Sequence, residues 1–311
     1  MKVRHVLSIA DIGPENLSRL IDHSLAIVAG GAGAARQLAG KIVGIYFRGT
    51  STRTRTAFTV GAMRLGAGTI AYGPHDLQIN TGETIHDTAR VLSGFLDVLV
   101  IRTNASIAEM KAMAMQDEMA VINAMSENEH PTQAIADLVT IKEALGHLDG
   151  VHILYLGEGN NSAASLALAV ALVPNMRLTL MTPEGYGLHE NMLQTAERLA
   201  SQSGSVIEQH HRRDRLPANV DVVYTTRWQT MGVPKADVNW REKFEPFRVT
   251  QELMAQVSKP DGTIFLHDLP AIRGSEVVDE VLDGPQSLAF RQAYHKLTSA
   301  MAVLCWAVEE E

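Results

Sequence analysis

Short apolar runs alternate with longer segments in which apolar residues recur every three or four positions along this 311-residue chain. The runs predict β-strands and the longer segments predict α-helices. Strands are expected at 41–47, 69–73, 97–102, 119–124, 177–182, 221–226 and 263–268, with another inside 150–159. Helices are expected at 13–29, 54–67, 84–95, 107–116, 131–145 and 287–310. Apolar strands that alternate with helices are typical of parallel sheets covered on both faces, so the predicted fold class is α/β.

The alternation begins again near Gly150, which predicts two domains. We expect the first domain to span residues 1–146 and the second to span 147–285. The C-terminal helix, 286–311, is amphipathic and long enough to pack back on the first domain. In parallel sheets, ligands bind beyond the carboxyl ends of the strands, so polar residues at those positions are the candidates for function.

Composition narrows the class of protein. Hydrophobic residues make up 46% of the chain and charged residues 20%, which is typical of a globular protein with a large core. The net charge of −8 argues against a nucleic-acid surface. We see no apolar run long enough for a transmembrane helix and no leader-like segment, and the single cysteine, Cys305, excludes an internal disulfide. These features favour a cytoplasmic location.

The stretch "FRGTSTRTRTAF", 47–58, lies where a predicted strand gives way to a predicted helix. Backbone N–H groups at a helix start lack intrahelical partners, and the helix dipole there is positive. Hydroxyl groups and an arginine beside those amides suit a dianion such as a phosphate group. The candidate residues are Ser51, Thr52, Arg53 and Thr54. The alternative is an ordinary helix cap followed by solvated arginines.

Two further strand ends carry polar side chains. Arg102 ends the strand at 97–102, and His130 and Gln133 lie at the start of the helix that follows the strand at 119–124. A guanidinium, an imidazole and a carboxamide suit a polarised carbonyl that carries an NH₂ group. Each residue also has an ordinary structural alternative, as a solvated strand end or a residue of the first helical turn.

The loop "LGEGNNSAAS", 156–165, joins a strand to a helix and invites comparison with dinucleotide-binding loops. Ser162 stands where the third glycine of that fingerprint belongs, and the next strand ends in Thr182 rather than an acid. A nicotinamide cofactor is therefore disfavoured. Asn160 and Asn161 suit the ammonium and carboxylate of a small amino acid instead.

The stretch "HDLP", 267–270, follows the last predicted strand. Asp268 at that strand end is able to accept a proton or to hold a cation. A simple His–Asp turn is the alternative.

Taken together, these motifs resemble the aspartate/ornithine carbamoyltransferase family. The matching stretches occur in family order and run over nearly the whole chain: "FRGTSTRTRTAF", "MRLGA", "TGETIHDTARVLSGF", "VIRT", "HPTQAIADL", "GEGNN", "TMG" and "HDLP". The resemblance implies two Rossmann-like domains joined by long helices, one for carbamoyl phosphate and one for an amino-acid acceptor. It also implies a homotrimer with active sites shared between subunits, and neither a metal nor an organic cofactor.

The resemblance also implies roles for individual residues. Arg102 would bridge the phosphate and the carbonyl oxygen, and His130 would donate a hydrogen bond to that oxygen. The carbamoyl-phosphate site would comprise Ser51, Thr52, Arg53, Thr54, Gln78, Arg102, His130, Gln133 and Leu269. The acceptor site would comprise Asn160, Asn161, Thr226, Arg227, Gln229, Thr230, Met231 and Asp268. The residues expected to take part in catalysis are Arg102, His130 and Asp268.

Several acceptor residues resemble the ornithine branch. Thr81 stands where aspartate-type members carry a lysine, and Gln78 resembles the glutamine that ornithine-type members use in that loop. The stretches "GEGNN" and "TMG" are ornithine-like, with Asn161 and Met231 as the expected contacts to the acceptor.

Other positions depart from the ornithine pattern. Thr226 replaces an aspartate that meets the acceptor's α-ammonium, and Arg227 gives the stretch "TRWQ" an aspartate-type character. Asp268 replaces the usual cysteine, and Ala271 replaces the usual arginine. Arg273 is the nearest arginine that could substitute for it.

These departures leave three hypotheses. The first is an acceptor shorter than ornithine, such as 2,3-diaminopropionate, which would span Arg227 and Asp268. The second is an ordinary ornithine carbamoyltransferase that tolerates the changes. The third is a non-catalytic family member that binds ligand or a partner, and the intact Arg102 and His130 argue against it.

Overall fold

The computed structural model describes residues 3–30, 36–229 and 234–309. The chain divides into two compact units, one formed by Met1–Val139 with Tyr294–Glu311 and the other by Thr140–Ala293. Both boundaries fall inside helices, since α6 spans Pro131–Leu145 and α12 spans Ala289–Val308. The two units are therefore linked by continuous helices, as a two-domain α/β chain predicts.

The first unit contains a four-stranded parallel sheet in the order β2–β1–β3–β4. Its strands are β1 Ile42–Phe47, β2 Gly68–Tyr72, β3 Val98–Arg102 and β4 Ala120–Met125. Its other helices are α1 Ile9–Ile12, α2 Pro14–Val28, α3 Arg53–Arg64, α4 Ile85–Ser93 and α5 Ala108–Met113. Every residue of β3 and β4 is buried, in agreement with their largely apolar sequences.

The second unit contains a five-stranded parallel sheet in the order β7–β6–β5–β8–β9. Its strands are β5 His152–Leu156, β6 Arg177–Met181, β7 Val206–His210, β8 Val222–Thr225 and β9 Ile264–His267. The helices within it are α7 Asn161–Leu172, α8 Glu190–Ser203, α9 Trp240–Phe244, α10 Gln251–Val257 and α11 Asp279–Leu282.

The structure contains one strand, β7, that the apolar pattern does not predict. Its sequence, "VIEQH", is short and largely polar. The strand lies at the edge of its sheet, where it pairs on one side with β6 and is mostly half-buried. An edge strand of this kind does not need the apolar run that marks a central strand.

Each unit has its own apolar core. In the first unit, one core cluster packs residues of β3 against α4 and α5, with Leu99 and Leu92 among them. In the second unit, a cluster that includes Leu154 and Val223 packs the sheet against α10. Among the described residues, no helix is both long enough and apolar enough to span a membrane.

Candidate active site

The segment between β1 and α3 carries the predicted phosphate-binding residues. Thr52 caps α3 without a hydrogen bond from its own side chain to the helix amides. Thr54 is buried and its hydroxyl oxygen accepts a hydrogen bond from Nη1 of Arg102 at 3.4 Å. Ser51 and Arg53 are half-buried beside them in the chain. A helix start of this kind offers N–H donors and a positive dipole to an anion.

Arg102 and His130 lie together, as their strand-end positions predict. Arg102 is 6% exposed and His130 is 5% exposed, and Nη1 of the arginine lies 3.4 Å from Nε2 of the imidazole. The sheet brings them together because the end of β3 pairs with the end of β4, with Arg102 opposite Met125. The guanidinium therefore connects the start of α3 with the start of α6.

The His130 ring is held neutral by its surroundings. Burial, followed by the positive charges of Arg102 and Lys296, lowers the pKa of His130 well below its ordinary value. A neutral imidazole has one N–H donor and one acceptor nitrogen. It is therefore able to stabilise a developing oxyanion by hydrogen bonding without becoming an imidazolium first.

Gln133 is fixed at both ends of its carboxamide. Its NH₂ group donates to Oδ1 of Asp137 at 2.7 Å, and its carbonyl oxygen accepts from the ammonium of Lys296. All three side chains are buried. Motif analysis did not single out Lys296, because a lysine in an amphipathic helix is ordinarily assigned to the solvent face.

Gln78, the remaining predicted residue of the first unit, is exposed rather than buried. It is exposed on a short 3₁₀ helix, Gln78–Thr81, where its side-chain oxygen accepts from the hydroxyl of Thr81 at 2.7 Å. The structure thus places Gln78 on the surface of the first unit.

In the second unit, the loop after β5 begins α7. The side-chain oxygen of Asn160 accepts from the amides of Ser162 and Ala163 at 3.0 and 3.1 Å, so this residue caps the helix. Asn161 is buried at the first helical position. Gly159 is required by a close approach, since a Cβ there would lie 2.3 Å from the carbonyl carbon of Gly187.

Asp268 joins three elements of this unit. Its Oδ1 accepts from the hydroxyl of Thr226 at 2.8 Å, and its Oδ2 accepts from the hydroxyl of Ser162 at 2.9 Å. Thr226 follows β8 and Asp268 follows β9, and the register of these neighbouring strands pairs Thr225 with His267. The carboxylate therefore lies at the shared carboxyl end of β8 and β9, against the start of α7.

The loop that carries Asp268 is held by a buried histidine. The amide N–H of Leu269 donates to Nδ1 of His267 at 2.8 Å, so the ring carries its proton on Nε2. That nitrogen lies 3.1 Å from Oε1 of Glu276, which also accepts from the amide of Ile272 at 2.6 Å. Leu269 adopts a φ of +50°, and these contacts hold it there.

The fold is shared with known proteins. The family model for the carbamoyl-phosphate-binding domain of aspartate/ornithine carbamoyltransferases matches residues 4–143, and the model for the Asp/Orn-binding domain matches residues 149–307. The chain belongs to the aspartate/ornithine carbamoyltransferase family. It is therefore a carbamoyltransferase, and its family binds carbamoyl phosphate and an amino-acid substrate.

Relatives extend the match over the full chain. The ornithine carbamoyltransferase of Halalkalibacterium halodurans is 37% identical over 306 residues, which cover 98% of this chain and 95% of that protein. That of Anoxybacillus flavithermus is 38% identical over 307 residues, covering 98% and 96%. The structure of the ornithine carbamoyltransferase from Pyrococcus furiosus superposes with a TM-score of 0.91 at 35% identity, covering 99% of this chain and 97% of that one.

The remaining predicted acceptor residues of this carbamoyltransferase follow β8. Arg227 is half-buried, and its Nε is buried without a hydrogen-bond partner among the described residues. Gln229 is also half-buried. Thr230 and Met231 lie outside the described residues. Arg273 donates to Asp279 and Asp283, so the structure gives this arginine a role in exposed ion pairs.

A lysine near the same segment of the carbamoyltransferase was also missed by motif analysis. The ammonium of Lys235 lies over the rings of Tyr186, Trp240 and Phe244, at 4.7, 5.4 and 5.0 Å from their centres, and pairs with Glu158. Aromatic faces and a carboxylate together stabilise a buried ammonium. Glu158 adjoins the loop of Asn160, so Lys235 ties the segment after β8 to the start of α7. The rings are too far apart in sequence to form a recognisable motif.

Within the described ranges, no group of three or more histidine, cysteine, aspartate or glutamate side chains could hold a metal ion.

Proposed function

We propose that this carbamoyltransferase transfers the carbamoyl group of carbamoyl phosphate to the side-chain amine of ornithine, releasing citrulline and phosphate. The observation that carries the acceptor is the full-length similarity to proteins named ornithine carbamoyltransferase, at 37–38% identity over 98% of the chain. The two sets of polar residues at the carboxyl ends of the sheets support the same assignment.

The first unit supplies the groups that the carbamoyl donor needs. The start of α3, with Ser51, Arg53 and Thr54, would hold the phosphate. Arg102 would bridge the phosphate and the carbonyl oxygen, with His130 donating to that oxygen. The neutral amine attacks the carbonyl carbon and a C–N bond forms. The C–O bond to phosphate breaks with its electron pair leaving on phosphate, and the surplus proton of the amine nitrogen goes to the departing phosphate. Fixed donors stabilise the oxyanion formed on the way and the departing phosphate.

Gln133 would recognise the carbamoyl NH₂ group. Its carbonyl oxygen has two lone pairs, and the ammonium of Lys296 uses one of them. The other lone pair would accept a hydrogen bond from the carbamoyl nitrogen. This contact distinguishes a carbamoyl group from an acetyl group, which has a methyl in that place.

Asp268 supports ornithine as the acceptor. Ornithine-type members carry an aspartate at the position of Thr226, and that aspartate meets the α-ammonium. Here the neighbouring strand supplies the carboxylate, and Asp268 accepts a hydrogen bond from Thr226 itself at 2.8 Å. The negative charge would therefore come from the neighbouring strand at the same sheet edge, and the proposed ornithine site would keep its carboxylate despite both substitutions.

A short diamino acid is the second candidate. Asp268 does not separate the two candidates, because its oxygens accept hydrogen bonds from Thr226 and Ser162 and each keeps a lone pair for the ammonium of an acceptor. What still favours a short acceptor is Arg227, whose buried Nε has no hydrogen-bond partner among the described residues. A carboxylate close to the attacking amine would fill that need.

A panel of amines tests the proposal. Phosphate release from carbamoyl phosphate is measured with ornithine, 2,3-diaminopropionate, 2,4-diaminobutyrate, lysine and aspartate, and products are identified by mass. We expect ornithine to give the highest kcat/KM, by at least about tenfold over the others, since one or two methylene groups change binding by 1–3 kcal/mol. A short diamino acid leading by that margin would overturn the acceptor while sparing carbamoyl transfer.

We propose further that the enzyme is a homotrimer in which Gln78 reaches a neighbouring subunit's site. Gln78 is exposed on the first unit. The edge strand β2 is half-buried to exposed along its length, with Ile70 43% exposed. An exposed edge strand with an apolar side chain is a surface that a subunit contact would cover.

A further inference from the structure

The hydroxyl of Ser162, near the start of α7, has a partner far away in the sequence. The residue is 4% exposed and occupies the second position of the helix. Its amide is capped by the side chain of Asn160 at 3.0 Å, so the helix end does not need its hydroxyl. The hydroxyl instead donates to Oδ2 of Asp268 at 2.9 Å, 106 positions further along the chain. The position that carries glycine in a dinucleotide-binding loop therefore presents a side chain to the residue after β9.

Asp268 is held at both carboxylate oxygens. Thr226, which is 2% exposed and follows β8, donates to Oδ1 at 2.8 Å, while Ser162 donates to Oδ2. The terminal torsion of an aspartate side chain is broad when nothing restrains it. Two donors on different elements restrict that torsion, so the plane of the carboxylate is fixed before a ligand binds. Preorganisation of this kind lowers the entropy cost of binding.

Neither donor neutralises the carboxylate. Hydroxyl groups carry no charge, and no lysine or arginine forms an ion pair with Asp268 in the described part of the chain. Nδ1 of His267 lies 3.6 Å from Oδ1, but it accepts from the amide of Leu269 and so has no proton to offer.

The remaining lone pairs of Asp268 are available to a ligand. Its side chain is 13% exposed, and a carboxylate has about four lone-pair sites, of which the two hydroxyls use two. A mostly buried carboxylate is costly without an opposite charge. The ammonium of an amino-acid acceptor would supply that charge.

We propose that Ser162 is a positioning residue for the amine acceptor. Its hydroxyl acts with that of Thr226 to fix Asp268, so that a free lone pair of the carboxylate meets the α-ammonium of the acceptor. This inference rests on the proposed role of Asp268 in the ornithine site. Ser162 then affects the binding of the acceptor and leaves the carbamoyl-phosphate residues of the first unit unchanged.

Variants of Ser162 test the role of its hydroxyl. We expect Ser162→Ala to raise the KM for ornithine by about five- to tenfold, because a hydrogen bond to a charged group is lost. The kcat and the KM for carbamoyl phosphate should stay within about twofold, since the contact with the α-ammonium is the same in the ground state and the transition state. Ser162→Thr keeps the hydroxyl and should recover most of the loss.

The matched control is Ser24→Ala. Ser24 is a fully buried serine of α2, and its hydroxyl donates to the backbone carbonyl of Leu20 at 2.7 Å. This variant loses a buried hydroxyl away from Asp268, so its KM for ornithine should match wild type. If Ser162→Ala fails to fold, Ser162→Cys replaces it, because a thiol has a similar shape and is a weaker donor.

Norvaline, which is ornithine without the side-chain amine, measures acceptor binding without turnover. Calorimetric titration in the presence of carbamoyl phosphate should give a Kd that rises in Ser162→Ala by the same factor as the KM for ornithine. A Kd within twofold of wild type would overturn the proposal.

The double-mutant cycle with Asp268→Ala decides whether Ser162 acts through Asp268. If it does, Ser162→Ala should cost much less in kcat/KM for ornithine when residue 268 is already alanine. Equal losses in both backgrounds would overturn the positioning role. A wild-type protein that transfers the carbamoyl group to no amine would instead refute the proposed function, so the two failures are distinguishable.

Discussion

At the scale of single residues, the candidate site depends on a few buried polar side chains, and the neighbours of each one decide its hydrogen bonds and its charge state. Arg102 reaches both Thr54 and His130 because parallel strands end at the same sheet edge. That grouping could be predicted from the sequence, since each residue follows a recognisable strand. Lys296 could not, because its partner Gln133 lies 163 positions away and the helical pattern assigns lysines to solvent. Long-range contacts of this kind require the structure.

Arginine substitutions test the phosphate site. Arg53→Ala and Arg102→Ala should each weaken carbamoyl-phosphate binding by about 1.5–3 kcal/mol, or roughly 10- to 150-fold, because a charge-assisted hydrogen bond is lost. Isothermal titration with carbamoyl phosphate measures the effect. Arg55→Ala is the control, because Arg55 lies over the ring of Phe47 at 5.3 Å. Affinities for the two test variants within twofold of wild type would refute these assignments.

The pKa of His130 predicts how stability depends on pH. Burial, Arg102 and Lys296 lower the pKa of His130 in the folded protein, whereas in the unfolded chain it lies near about 6.5. Below that pH the His130 imidazole is protonated in the unfolded chain but stays neutral in the folded protein. The free energy of unfolding therefore falls by up to about 1.4 kcal/mol per pH unit. The stability that depends on a neutral His130 is fully present above pH about 6.5 and is lost as the pH decreases.

Urea unfolding at pH 8.0, 6.5 and 5.5 checks this. His130→Asn should lose stability less steeply on acidification than wild type, whereas His147→Asn, which changes an exposed histidine, should follow wild type. Parallel curves for wild type and His130→Asn would show that His130 is not held neutral by folding.

At the scale of elements, the proposed acceptor site lies at the ends of neighbouring strands. The apolar pattern predicts β8 and β9, but their adjacency in the sheet is a matter of topology. Because the strands are adjacent, Asp268 lies against Thr226. We therefore interpret the two departures from the ornithine pattern together, as a carboxylate that has moved from one strand end to the next. The edge strand β7 was not predicted because its half-buried position does not demand an apolar run.

A carboxylate exchange tests this interpretation. Asp268→Cys alone should raise the KM for ornithine by about tenfold or more, because the charge proposed to meet the α-ammonium is lost. The double variant Thr226→Asp/Asp268→Cys restores the ornithine-type arrangement and should recover most of that loss. The KM for carbamoyl phosphate should stay within about twofold in both variants. Steady-state kinetics in each substrate measure these values.

The control for the exchange is Thr226→Asp in the presence of Asp268, which sets two carboxylates side by side. Like charges at this distance repel, so this variant should bind ornithine no better than wild type. If the double variant is as impaired as Asp268→Cys, the carboxylate has a role specific to its own strand. In that case the short diamino acid regains support.

At the scale of the whole molecule, the sequence predicts two parallel-sheet units because the strand–helix alternation restarts near Gly150. It predicts the strand boundaries of the central strands closely, as in β3, whose bounds are Val98–Arg102. The boundaries between the two units lie within α6 and α12, at 139/140 and 293/294, rather than in loops. A helix that continues across a boundary gives no composition change for the sequence to show.

The proposed homotrimer with shared sites leads to a complementation prediction. Gln78→Ala removes the side chain proposed to reach a neighbour's site, while Arg102→Ala removes one from the subunit's own site. In hybrid trimers, a site can combine the intact Gln78 of one subunit with the intact Arg102 of another. Mixing the two variants under conditions of subunit exchange should therefore restore activity, provided that each variant alone is inactive. Random assembly gives an expected recovery of up to roughly a quarter to a third of the wild-type value. Native mass spectrometry follows the exchange. Demonstrated hybrids without any recovered activity would show that Gln78 serves the site of its own subunit, since only a site completed by a neighbour is able to regain both side chains.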